Sequence, residues 1–217
     1  MAYDLVLFDL DGTLSDPILG FSRSINYALA EFGHEPLPAA DLGVFLGPPI
    51  EETFRKIAGN GTEAQVNALV AKYRERYGDV GYSENVLYPG IREALQCLND
   101  AGVPMAVCTS KRKDFAEKIL EMFGLTRHFR FVDGSGPGMQ KWRQMEALRS
   151  RGQVSDASIM VGDRAVDMIA AHRNGLRAAG VLWGYGSRAE LANEAPLRLL
   201  ESPGELPQLG PRPSHAA

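Results

Sequence analysis

Short apolar runs that stop in polar residues, separated by helical stretches, constrain this chain more than any other feature. They read "LVLFDL" (5–10), "PMAVCTS" (104–110), "FRFVDG" (129–134), "ASIMVGD" (157–163) and "RAAGVLWG" (177–184). Each has the length of a buried strand, and most end in Gly, Asp, Ser or Thr. Between them, "IREALQCLNDAG" (91–102) sets Ile91, Leu95 and Leu98 on one helical face and closes on Gly102. "KDFAEKILEMFG" (113–124) repeats this with Phe115, Ile119 and Phe123, and "RAVDMIAAHRNG" (164–175) ends on Asn174 and Gly175. Strand–helix alternation predicts an α/β fold with a parallel sheet covered by helices. In such sheets ligands collect at the carboxyl ends of the strands, so the residues ending these runs are the place to look for chemistry.

One segment breaks the rhythm. "GFSRSINYALAEFG" (20–33), "PIEETFRKIAG" (49–59) and "TEAQVNALVAKYRERYG" (62–78) all read as amphipathic helices, with no clear strand among them. Residues 15–83 are therefore expected to be a helical cap inserted after the first strand, with 1–14 and 84–217 forming the core. "GDVGYSENVLYPG" (78–90) would lead the chain back. From Ser202 the sequence "SPGELPQLGPRPSHAA" is rich in Pro and polar residues and reads as a peripheral or disordered tail.

Charge and cysteine usage narrow the function. The formal net charge of −4 argues against stable nucleic-acid binding, which goes with a basic excess. No apolar run approaches the roughly 20 residues that a bilayer span needs. The opening "MAYDLVLFDLD" has no basic leader and no long apolar stretch. Cys97 and Cys108 both lie in apolar segments, which suits a reducing compartment better than a disulfide framework. A cytoplasmic protein without a membrane partner is expected; monomer and homodimer are equally open.

The strand ends carry the chemistry. The first supplies Asp9 and Asp11, which point to the same side of an extended strand, then Gly12 and Thr13. The second ends in Thr109, Ser110 and Lys111, and a later one in Asp163, with Asp167 one helical turn on. Lys141 opens the helix leading to that strand. Taken singly these have ordinary explanations: a polar strand terminus for Asp9 and Asp11, a helix cap for "TSK" or Asp163, a solvated helix acid for Asp167. Brought together, four carboxylates demand a cation, and an all-oxygen set with few protein ligands suits Mg²⁺. Lysine, hydroxyls and backbone N–H groups suit phosphoryl oxygens.

"FDLDGTLSD", "TSK", Lys141 and "GDRAVD" resemble, in order and spacing, the four motifs of the phosphatase branch of the haloacid dehalogenase superfamily. The likeness covers about 3–185, and "FLGPPIEETF" (45–54) and "GVLWGYGSRAEL" (180–191) are most similar to its phosphoglycolate phosphatase-like and 5′-nucleotidase-like members. The resemblance implies a Rossmann-like sheet and Mg²⁺-dependent hydrolysis of a small phosphate ester. It implies Asp9 as nucleophile, forming an aspartyl-phosphate, and Asp11 as acid and then base. It implies metal ligation by Asp9, the Asp11 carbonyl and Asp163, with Asp167 ligating directly or through water. Thr109 and Ser110 would hold the phosphoryl group and Lys141 would offset its charge. The last of these departs from the pattern, because many relatives have Lys-Pro where this chain has Lys141-Trp142. Phosphoglycolate and nucleoside 5′-monophosphates are the two leading substrates; a phosphosugar mutase or a non-catalytic binding protein are the other classes.

Further residues are expected at the periphery. Gly47 and Pro48 belong either to a rigid turn or to a loop that sets specificity, and Arg55 is a candidate partner for a substrate anion. Lys111 and Lys113 compete with Lys141 as the lysine but are expected to flank the mouth or face solvent. "DGSGPGMQK" (133–141) fits neither nucleotide-loop pattern and reads as a flexible loop.

Overall fold

A computed structural model of the chain describes residues 3–136 and 138–210. Its centre is a six-stranded parallel sheet formed by β1 (Val6–Phe8), β4 (Met105–Thr109), β5 (Val132–Gly134), β6 (Ile159–Gly162), β7 (Arg177–Val181) and β8 (Arg198–Leu200). The strand order is β5-β4-β1-β6-β7-β8, so the connections diverge on either side of β1. That divergence opens a crevice beyond the carboxyl ends of β4, β1 and β6. The apolar runs form strands because both sheet faces are buried: Val6, Phe8, Val107 and Val161 pack on one side, Leu7, Ala106, Cys108 and Met160 on the other. Helices α5 (Ile91–Asp100) and α6 (Lys113–Met122) cover the first face, α7 (Lys141–Ser150) and α8 (Ala165–Arg173) the second.

Between β1 and β4 come α1 (Ile18–Glu31), α2 (Ala39–Leu42), α3 (Ile50–Ala58) and α4 (Glu63–Asp79). They share a hydrophobic cluster of their own, including Phe21, Ile25, Phe54, Leu69, Tyr73 and Tyr77, to which the sheet side contributes Phe115. Thr62 starts α4 with a reciprocal capping box to Gln65. The chain enters and leaves the helical part through a two-stranded antiparallel ribbon, β2 (Ser15–Asp16) and β3 (Val86–Leu87), which residue patterning did not reveal.

Three further expectations need correction. The expected tail is not peripheral through Leu209: Pro203–Leu209 forms a 3₁₀ turn whose Leu206 and Leu209 are buried in the cluster with Leu98 and Val103. The remainder, 211–217, lies outside the described residues. The strand β8 and helix α9 (Arg188–Asn193) were not expected. Of the cysteines, both are free, Cys108 is buried as expected, and Cys97 is exposed.

Candidate active site

Asp9 follows β1 directly, Thr109 ends β4 and Asp163 follows β6, so three neighbouring strands deliver their polar ends to one place. One carboxylate oxygen from each of Asp9, Asp163 and Asp167 falls within a 4.8 Å sphere of mutual distances, and all three residues are buried. Lys141 reaches them from the first turn of α7, its Nζ 3.0 Å from Asp9 Oδ1 and 2.5 Å from Asp167 Oδ1. Asp167 also accepts the Arg164 N–H at 3.0 Å, so both its oxygens are engaged. Asp163 accepts the Tyr185 N–H on Oδ2 at 2.8 Å and the Thr13 hydroxyl on Oδ1 at 3.4 Å. Asp9 Oδ1, although at ion-pair distance from Lys141, is buried without an aligned hydrogen bond among the described residues.

Three buried carboxylates against one ammonium leave surplus negative charge. Burial, then the like charges of Asp167 and Asp9, push the Asp163 carboxyl well above its ordinary range. Burial likewise raises Asp167, to about 6, against the pull of Lys141. Burial works against the Lys141 charge, but Asp167 and Asp9 outweigh it and hold the ammonium above its usual value. Excess charge and an orphaned Asp9 oxygen are what a divalent cation would relieve, and the donors are all oxygen, as Mg²⁺ prefers.

The backbone is shaped to bring these acids together. Gly12 turns with φ +82°, and a Cβ there would lie 2.2 Å from Asp163 Oδ2. Gly184 passes so close beneath the site that a Cβ would lie 2.3 Å from the Gly12 carbonyl and 2.4 Å from Asp163 Cβ. Trp183 donates its indole N–H to the Thr13 carbonyl at 2.9 Å. Gln144 bridges the ends of β4 and β5 through Thr109 O and the Asp133 carbonyl and carboxylate. Trp183 packs against the core, as its type predicts from sequence, and hydrogen-bonds as well; Gln144 carries no sequence sign of its role. A clue lay in "GVLWGYG", whose glycines are needed where backbones meet.

A cleft of about 720 Å³, its open mouth included, reaches this cluster at Asp9. Asp9, Asp11, Thr109, Ser110, Gly47 and Pro48 all line it. The opposite wall is aromatic: Phe21, Tyr73 and Tyr77 from the helical part and Phe115 from α6, with Arg74 among them. Tyr73 and Tyr77 stack with ring centroids 5.2 Å apart. Their i, i+4 spacing on α4 is the only sequence sign of this wall. Asp11 is raised by burial, which the adjacent Lys111 opposes. Lys111 itself is not at the mouth: its side chain is 8% exposed, with Nζ 2.7 Å from Asp11 Oδ2. Lys113 is exposed, as expected.

Arg55 is not brought to the cleft. It is half exposed and forks onto Glu63 at 2.9 Å across the turn between α3 and α4. Arg55→Ala is accordingly expected to change kcat and KM by less than about twofold for any phosphate ester, since exposed pairs of this kind contribute little. Steady-state kinetics over a substrate panel check this; a selective rise in KM would return Arg55 to the site.

The model of the haloacid dehalogenase-like hydrolase family matches residues 6–181. The chain belongs to that family. A protein of Pseudomonas aeruginosa named 5′-nucleotidase is 38% identical over 200 residues, covering 90% of each chain. One of Agrobacterium fabrum named phosphoglycolate phosphatase is 33% identical over 83% of this chain and 81% of its own. A tyrosine-protein kinase PtkA of Mycobacterium tuberculosis is 38% identical over 84% of this chain but only 63% of its own. Among solved structures, a "predicted phosphatase" from Clostridium acetobutylicum superposes with a TM-score of 0.90 at 36% identity, covering 96% of this chain and 98% of that one. The expectation of a phosphoric monoester hydrolase with this family's α/β fold therefore stands. Among the described residues no helix is long and apolar enough to cross a membrane.

Proposed function

We propose that the cleft hydrolyses a small phosphomonoester, phosphoglycolate phosphatase-like, by way of an aspartyl-phosphate on Asp9. The observation that carries the reading is Asp9 itself: a buried carboxylate with one oxygen beside Lys141 and unmatched, at the floor of a cleft that also holds Thr109 and Ser110. Asp9 attacks phosphorus. Asp11, two residues on and not among the three clustered carboxylates, gives a proton to the leaving oxygen and then takes one from the attacking water. Thr109 and the Ser110 N–H hold the phosphoryl oxygens, and Lys141 offsets the negative charge gathered on Asp9 and the phosphate.

Asp9, the Asp11 carbonyl and Asp163 would hold Mg²⁺, which when bound supplies positive charge to the phosphoryl group. Asp167, with Lys141 on one oxygen and the Arg164 N–H on the other, is better placed to aim the lysine and to act on the ion through water. Residues 15–83 act as a cap whose aromatic wall keeps water from the phosphoryl group.

Turnover of phosphoglycolate, nucleoside 5′-monophosphates and sugar phosphates with Mg²⁺, and its loss on adding EDTA, tests this. Release of inorganic phosphate from none of them would overturn it, and a requirement for sugar phosphate with return of the phosphoryl group would indicate a mutase. A 5′-nucleotidase is the second reading, supported by Phe21, Tyr73 and Phe115, against which a nucleoside could pack. A preference for nucleotides over phosphoglycolate in the same panel selects it.

Metal and protons should compete for the site. The folded-state carboxyl of Asp167 lies near 6, above the ordinary 3.8. In metal-free protein such a raised group favours folding at low pH and costs stability as pH rises from near 4 through 6. Mg²⁺ needs the charged form, so it stabilises above that range and loses its hold below it. At about a hundred times its dissociation constant, Mg²⁺ is expected to raise Tm by about 5–10 °C at pH 7.5. The shift should shrink markedly by pH 5. A thermal-shift series across pH, with EDTA controls, checks both; a pH-independent shift would place the ion elsewhere.

A further inference from the structure

Lys111 takes no part in the reaction set out above, yet it is held on every side. Its Nζ lies 2.7 Å from Asp11 Oδ2, donates to the Tyr77 hydroxyl at 2.7 Å, and sits 4.6 Å from the centre of the Tyr77 ring. Its backbone is pinned as well: the N–H donates to the Thr109 hydroxyl at 3.3 Å, and the carbonyl accepts the Ser135 N–H at 2.9 Å. Tyr77 is 1% exposed and stacks on Tyr73, so the hydroxyl that receives the lysine cannot wander.

Two consequences follow. First, the contact selects between the oxygens of Asp11: Oδ2 is taken by the ammonium, while Oδ1 is buried with no hydrogen-bond partner among the described residues. Second, the contact joins two parts of the molecule, because Asp11 and Lys111 stand at the sheet ends while Tyr77 comes from α4. An ammonium between a carboxylate and a fixed hydroxyl lies where it does only when α4 rests against the sheet.

We propose that Lys111 is a positioning residue for Asp11, set by Tyr77, which fixes Oδ2 and so presents Oδ1 to the leaving oxygen of the substrate. The proposal rests on the phosphatase reading. As an Asp9 oxygen bonds to phosphorus, the bond from phosphorus to the leaving oxygen breaks and its electron pair stays on that oxygen, which takes the proton from Asp11 Oδ1. Asp11 is left a carboxylate, and the ammonium already beside Oδ2 stabilises that charge as it forms.

General acid help matters most when the leaving oxygen is basic, and little when it departs readily as an anion. The test is therefore kcat/KM of wild type, Lys111→Met and Tyr77→Phe for a simple alkyl phosphate and for p-nitrophenyl phosphate, with saturating Mg²⁺. This ratio covers the steps up to departure of the leaving group, so the later attack of water does not enter. Lys111→Met is expected to lose about 30-fold more on the alkyl ester than on the nitrophenyl ester, and Tyr77→Phe about fivefold more. Equal losses on both esters, as from a residue that only binds substrate or only supports the fold, overturn the proposal; so does no loss. Should Lys111→Met unfold, Tyr77→Phe, which removes a single oxygen, decides alone. A wild type inactive on both esters, or an Asp9→Asn variant that retains activity, sinks the phosphatase reading and this proposal with it. Normal wild-type turnover without the selective loss sinks this proposal only.

Discussion

Asp9→Asn is expected to lower turnover by at least about a thousandfold while leaving the protein folded. The amide keeps the shape of the carboxylate but cannot attack phosphorus, and no other carboxylate can replace it. Asp163 is committed to the Tyr185 N–H and Thr13, Asp167 to Lys141 and the Arg164 N–H, and Asp11 to Lys111. Stability should not suffer, since Asp9 is one of three acids crowded in the absence of metal. Its neutralisation removes repulsion from Asp163 and Asp167 at the cost of one contact to Lys141. The measurement is kcat with the best substrate of the panel, alongside a melting curve in EDTA. A folded variant with more than about a tenth of wild-type activity would refute the nucleophile, and an Asp9→Asn protein that no longer melts cooperatively would refute the claim that its charge is a burden.

The sheet was legible because each buried strand is a short apolar run with a polar stop, and Asp9, Thr109 and Asp163 stand at those stops in the structure. Elements without that signature were missed. β2 and β3 are two residues each and carry no period; β8 begins with an exposed Arg198 at the sheet edge. The Pro-rich stretch from Ser202 suggests a tail, but Leu206 and Leu209 are enough to dock it on α5, and composition does not weigh two leucines against four prolines. Side-chain pairing was the least readable level. In sequence Arg55 is a candidate partner for a substrate anion; its actual partner, Glu63, lies on the next helix and meets it only in the fold. Sequence sets Lys111 at the mouth or in solvent because Asp11 and Tyr77, which draw it inward, are remote in sequence and meet it only when the fold is complete.

The same difficulty makes Lys141 the sharper test of the site's electrostatics, since Lys141-Trp142 departs from the Lys-Pro of many relatives. Its side chain is 2% exposed, with Nζ between Asp9 and Asp167, and among the described residues both carboxylates lose their one paired ammonium if it is removed. Lys141→Met keeps the length of the side chain and deletes the charge. Breaking a buried pair on one side leaves unmatched charge, at a cost of about 3–5 kcal/mol. For a chain of this size that is a fall in Tm of about 6–20 °C in EDTA. Two conditions should restore part of it: Mg²⁺, which supplies charge from another direction, and low pH, where Asp167, raised by burial and no longer drawn down by Lys141, takes up a proton. Neither should restore catalysis. With Mg²⁺ present and the variant folded, kcat should still be down by about a hundredfold or more, because the phosphate and Asp9 approach each other without the cation aimed at both. Melting curves with and without Mg²⁺ at pH 5 and 7.5, read beside kcat on the same preparations, separate the two roles. If activity returned in step with stability, Lys141 would be holding acids together and nothing more; if neither changed, the charge balance drawn for the whole cluster would be wrong.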